Sequence, residues 1–251
     1  MKFSILLAAS AAALLTTTAC NADKGGNSTA TTAAGTTAKP VAPPSNGDWS
    51  SVVAKTAEGG FMMGNPNAKV KLVEFGSMTC AHCAEFEETG APALIENYVK
   101  KGLVAFEFRN FVRDPADMTA ALVARCNGPS SFFGLTRALF ASQRDWLGKL
   151  QTADQATLQG LQNQPAAAQF KTFADLTGLP AFAAMRGVPK AKTAACLANE
   201  SAASELVAMT AEATNTYQVP GTPTFLINGK VVPNAAAWQA LEPAIKAALA
   251  S

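Results

Sequence analysis

Two scarcities frame this chain. It holds a single histidine, His82, and its charged side chains are only 15% of the total, 20 basic against 18 acidic for a net +2. That near-balance contains no basic stripe, so neither nucleic acid nor a polybasic membrane patch is expected as a partner. With one histidine a two-cysteine, two-histidine zinc site cannot be completed, and a four-cysteine site would need a second close pair that the chain lacks. The apolar run Phe3 to Leu15 is too short to cross a bilayer as a stable helix.

That run follows Lys2 and leads into small residues up to Cys20, the order of charged, apolar and cleavage regions in a secretory signal. Residues 1–19 are therefore read as a signal peptide, which places the protein in the periplasm or cell envelope. Cys20 stands where a bacterial lipoprotein carries its lipid, so a lipid-anchored form and an ordinarily cleaved, soluble one both stay open. From Cys20 to Asp48 the chain is mostly Thr, Ala, Gly, Ser and Pro. Such a segment buries too little apolar surface to offset its ordering entropy, and reads as a flexible tether rather than a dimerisation domain. The rest, 49–251, roughly 200 residues, is long enough for a sizeable core.

Setting Cys20 aside leaves four cysteines: Cys80, Cys83, Cys126 and Cys196. In an oxidising compartment both pairs can exist as disulfides. A Cys126–Cys196 bond stapling a helical block is one reading, and two separate buried thiols is the other.

Lys69 to Gly76, KVKLVEFG, alternates and then runs apolar, as a strand in the centre of a sheet does. After Thr79 the apolar residues fall at helical spacing, with Glu85, Glu87 and Glu88 early in the segment to favour the positive end of the helix dipole. Gly90-Ala91-Pro92 should bend that helix. Leu103 to Phe111 reads as a second strand, giving a right-handed β-α-β unit with parallel strands. Between about 113 and 216 the chain becomes a set of short helices. Strand character returns at PTFLI, Pro223 to Ile227, and the following Asn228-Gly229 signals a hairpin into Lys230-Val231-Val232. Ala235 to Leu249 closes the chain as a helix interrupted near Pro243. The fold class is thus α/β.

The chemistry concentrates in VEFGSMTCAHCAEF, residues 73–86. Cys80 and Cys83 are three apart at the junction of strand and helix, so both sulfurs share one face and come within disulfide reach. At a helix start, unpaired N–H groups and the helix dipole favour a thiolate, which makes Cys80 the reactive sulfur and Cys83 the more shielded one. His82, between them, can add an imidazolium. An acidic Cys80 is a good leaving group, so its disulfide with Cys83 should be oxidising.

FGSMTCAHCAEFE after a buried strand, with VPGTPTFLING far downstream, resembles the DsbA-like family of thiol:disulfide oxidoreductases in the thioredoxin superfamily. The resemblance spans roughly 61–249. It implies a thioredoxin fold with an inserted helical subdomain, and a cis peptide at Thr222-Pro223 opposite the dithiol, where a substrate peptide pairs with the Thr222 backbone. It further implies that Glu74 assists proton transfer to Cys83, and that no cofactor is needed beyond the dithiol. The partners it implies are exported polypeptides bearing thiols and a quinone-linked membrane oxidase. Ala81-His82 replaces the Pro-His of strong oxidants in this family, and Thr222 is shared with isomerases and reductases, so disulfide isomerisation or reduction is the alternative to oxidation. A non-enzymatic copper-delivery protein is a reading of another class. It would use Cys80 and Cys83 as soft ligands, with Met62-Met63 nearby.

Overall fold

The computed structural model describes residues 42–251. The segment read as a signal peptide, Cys20 and the part of the expected tether up to residue 41 lie outside the described residues. Among those described, no helix is long and apolar enough to cross a membrane.

Six strands form one mixed sheet: β1 (Val53–Lys55), β2 (Phe61–Met63), β3 (Val70–Gly76), β4 (Val104–Asn110), β5 (Thr224–Ile227) and β6 (Lys230–Val231), in the order β1-β2-β4-β3-β5-β6. β3 and β4 are parallel, with Glu74 opposite Phe108, and every other neighbouring pair is antiparallel. The parallel pair is buried along its length, which is why both strands read as near-continuous apolar runs. β1 and β2 are only three residues each, too short for periodicity to mark their bounds; Met62 and Met63 sit on β2, and their side chains point to opposite faces.

The helices are α1 (Ala81–Thr89), α2 (Ala91–Leu94), α3 (Pro115–Arg125), α4 (Pro129–Ala141), α5 (Gln143–Gln151), α6 (Gln155–Leu161), α7 (Ala166–Thr177), α8 (Leu179–Ala184), α9 (Lys190–Leu197), α10 (Glu200–Asn215) and α11 (Trp238–Ala250). α1, α2 and α11 cover one face of the sheet. There Phe86, Leu94, Leu241 and Ile245 pack on Leu72, Phe106 and Phe225. α10 covers the opposite face, with Ala213 against Val73, Phe75 and Leu226. A further core, built on Phe132, Leu139 and Leu179 of the helical segment, reaches Met78, Cys80 and Cys83. The dithiol therefore lies where the helical segment meets the sheet.

Two expectations need correction. The acidic residues do not occupy the first turn of the helix that follows the dithiol: α1 begins at Ala81 and holds no acidic residue there. Glu87 and Glu88 fall near its C-terminus, so the dipole is left uncompensated beside Cys80. The last helix is not interrupted at Pro243, which lies inside a continuous α11. A proline there removes one backbone hydrogen bond, and the burial of Leu241 and Ile245 on either side holds the helix together. The bend at Gly90 does occur: α1 ends at Thr89, and after α2 a single wide π-type turn, Ile95–Val99, carries the chain toward β4.

Candidate active site

β3 delivers the chain to the site. Gly76 ends it in contact with the Phe108 ring; a Cβ at this position would meet that ring at 2.5 Å, so only glycine lets β4 pack so closely here. The chain then turns through Ser77, Met78 and Thr79 and enters α1 with Cys80 as its N-cap residue, φ −86° and ψ 122°. This extended conformation leaves the first N–H groups of α1 facing the sulfur.

Both cysteines are unbonded and buried, Cys80 at 5% exposure and Cys83 at 0%. Their acidities are driven apart. The Cys83 thiol beside it, donating a hydrogen bond, brings Cys80 from an ordinary 9.0 down to about 5; burial opposes this, while Thr222 and the N–H groups of Cys83 and His82 add to it. Cys83 moves well above the ordinary range, first because burial penalises its charge, then because it is the donor to Cys80 and lies near the Glu74 carboxyl. When protonated, Cys80 donates to the Thr222 carbonyl at 3.1 Å.

The peptide bond Thr222-Pro223 is cis and lies against Cys80. Beside it a groove of about 300 Å³ is lined by Pro220, Thr222, Pro223, Val231, Val232 and Ala236, with no charged side chain on its walls.

Glu74 points to the face covered by α1 and is 1% exposed. Its Oε2 has no hydrogen-bond partner among the described residues. Burial, reinforced by Glu87 and Cys80, raises its pKa well above the carboxylate range. Among the described residues no lysine or arginine pairs with it. His82 is brought beside the dithiol in sequence only: its ring is directed outward, 76% exposed, with Nδ1 3.3 Å from Glu85 Oε2. What reaches Cys80 is the His82 backbone N–H.

Cys126, at the end of α3, is bonded to Cys196 on α9 with the sulfurs 1.97 Å apart. Among the described residues no group of three or more His, Cys, Asp or Glu could hold a metal ion. Met63 packs with the α2 core, so the two methionines do not converge on the dithiol.

Sequence reasoning missed two residues of the helical segment that grip the Cys80 loop. Asp117 accepts from Met78 N–H at 2.7 Å, Ser77 Oγ at 2.6 Å and Arg113 N–H at 3.0 Å. Gln143 Nε2 donates to the carbonyls of Met78 and Cys80, both at 2.9 Å. Asp117 stands three residues after the N-cap Asp114, which marks a helix start but does not tie it to the dithiol. Gln143 had no local signature, because its partners are more than sixty residues away.

A family model described as Thioredoxin matches residues 56–247. The chain belongs to the thioredoxin family. Among solved members, a protein-disulfide isomerase from Novosphingobium aromaticivorans is 42% identical, with a TM-score of 0.72, over 76% of this chain and 97% of that one. The α-DsbA1 of Wolbachia pipientis is 21% identical with a TM-score of 0.61, over 75% of this chain and 90% of that one, a likeness of fold. A curated relative from Rickettsia felis, provisionally named a protein-disulfide oxidoreductase, is 27% identical over 179 residues, 71% of this chain. This chain spans 56% of that relative's length and 60% of the Rickettsia bellii relative's. The thioredoxin fold here is of the DsbA-like kind, its strand-helix-strand and hairpin-helix halves separated in sequence by α3 to α10.

Proposed function

We propose that the protein is a thiol:disulfide oxidoreductase of the cell envelope that oxidises exported polypeptides through Cys80 and Cys83. The observation that carries this is the split between the two sulfurs, Cys80 near 5 and Cys83 well above 9. An acidic Cys80 stabilises the reduced pair and so makes the disulfide a strong oxidant.

In the oxidised enzyme a substrate thiolate attacks Cys80 Sγ. The Cys80–Cys83 bond breaks, a substrate–Cys80 bond forms, and Cys83 leaves and takes up a proton. Glu74, whose pKa is pushed upward by burial and by Glu87 and Cys80, is suited to supply it. The second substrate thiolate then attacks its own partner sulfur and expels Cys80 as a thiolate. The substrate loses two electrons and the enzyme gains them, so turnover requires an acceptor, a quinone-linked membrane oxidase on the family pattern. The uncharged groove beside Pro223 suits an extended apolar stretch of substrate paired with the Thr222 backbone.

Disulfide isomerisation is the second reading, favoured by the name of the Novosphingobium relative at 42% identity. The two separate on the reduction potential of the Cys80/Cys83 pair, measured by equilibration with glutathione. A value well above about −180 mV supports the oxidase, and one near the thioredoxin value of about −270 mV sinks it.

A further inference from the structure

We propose that Gln143 and Asp117 clamp the loop Ser77–Cys80 and fix the Cys80 sulfur at the first turn of α1, so that the helical segment sets the redox poise of the dithiol. The inference rests on the redox reading of Cys80. It deepens that reading by naming two positioning residues outside the strand-helix junction that holds both sulfurs.

The geometry is a two-sided grip. Asp117 takes the N–H of Met78 and Gln143 takes its C=O, so one peptide-linked residue is held at both ends by side chains from α3 and α5. The second hydrogen of the same Gln143 amide goes to the Cys80 carbonyl. A planar amide bonded to carbonyls two residues apart prevents rotation about Thr79 unless one bond breaks. Holding the Cys80 carbonyl fixes ψ of Cys80, and ψ decides whether the N–H groups of His82 and Cys83 are directed at Sγ or past it. Those N–H groups are among the contacts that acidify Cys80.

Both side chains are buried, Asp117 at 1% and Gln143 at 5% exposure. A buried amide costs free energy unless its hydrogens are bonded, and among the described residues the Gln143 amide donates to this loop alone. Ser77 completes the arrangement: its hydroxyl donates to Asp117 and accepts from Arg113 Nε at 2.9 Å. An apolar residue at position 143 would fill the space as well, but it would leave the Met78 carbonyl unpaired and the Cys80 carbonyl with only the Ala84 N–H at 3.2 Å.

The test is Gln143→Met, which keeps length and removes both donors, with Leu161→Ala as a control that loosens the helical segment away from the loop. Thiolate absorbance against pH and equilibrium with glutathione are measured for each. The clamp predicts that Gln143→Met shifts the Cys80 midpoint upward by a unit or more. It also predicts a tenfold or greater loss of oxidising strength, about 30 mV for the two-electron couple. Leu161→Ala should lower the melting temperature yet leave both readings within twofold. Gln143→Asn, whose amide is drawn back by one methylene, takes the place of Gln143→Met should the latter not fold, with the same expected direction. Readings within twofold of wild type for the position-143 variant overturn the clamp, as does an equal shift in Leu161→Ala. A wild-type Cys80 that titrates near 9 would instead overturn the redox reading on which the clamp depends.

Discussion

The acidity of Cys80 should make the stability of the reduced protein depend on pH in a direction that can be worked out. The perturbation is Cys80→Ser, compared with reduced wild type from pH 4 to pH 9. Cys80 falls from an ordinary 9.0 to about 5 on folding. A group depressed in this way stabilises the fold fully above its unfolded value, and the contribution is lost as pH falls through its folded value. The window therefore runs from pH 9 down to 5, and at pH 7 about half of the shift, roughly two units, is realised. At about 1.4 kcal/mol per unit that is near 3 kcal/mol. Water reaches part of the sulfur's surroundings, and screening reduces the figure to about 1–2 kcal/mol. Glu74 and Asp117 are shifted upward and act in the opposite sense, losing stability as pH rises; subtracting the Cys80→Ser curve largely removes them. The assay is urea denaturation under reductant, plotted as wild type minus variant. A difference that climbs from pH 5 toward pH 9 is expected. A flat difference across the range refutes the assignment of Cys80 as a native-state thiolate.

His82→Ala should shift the Cys80 titration by less than about one unit, because the ring is directed to solvent and the backbone N–H survives the change. His82→Pro removes that N–H at a position in the first helical turn where proline is tolerated, and should raise the midpoint further; the reverse ranking in the same absorbance titration would restore the imidazole as the acidifying group. Replacing Cys126 and Cys196 together by Ala opens a bridge spanning 70 residues and should cost about 4 kcal/mol in urea denaturation at pH 7. The Cys80 titration in that double variant should stay within about half a unit of wild type, since the side chains bonded to the Met78 and Cys80 backbone are Asp117 and Gln143.

Short-range chemistry made much of this protein legible from its sequence. The apolar runs of β3 and β4, the Asn228-Gly229 hairpin and the helical block are local patterns, and each depends on residues close in the chain. The Cys80–Cys83 spacing at a strand-to-helix junction belongs with them, as does the asymmetry between the two sulfurs. The short strands β1 and β2 were not readable in the same way. Three-residue segments carry too little periodicity, and β2 is fixed by pairing with β4, over forty residues away.

Tertiary structure decided what lies around the sulfurs. Glu74 reads as a lone acid on an apolar strand, and only the packing of α1 over its face buries it, leaves its Oε2 without a partner among the described residues and pushes its pKa upward. His82 reads as an electrostatic partner of the dithiol until the orientation of α1 directs its ring outward. Gln143 and Asp117 could not be assigned to the site, because a hydrogen bond to a distant backbone carbonyl or amide leaves no pattern in composition or spacing. The sequence by itself therefore determined the spacing of the two sulfurs and their place at the strand-to-helix junction, since neighbours along the chain set them. Folding across long sequence distances determined how acidic those atoms become, because that depends on which buried groups surround them.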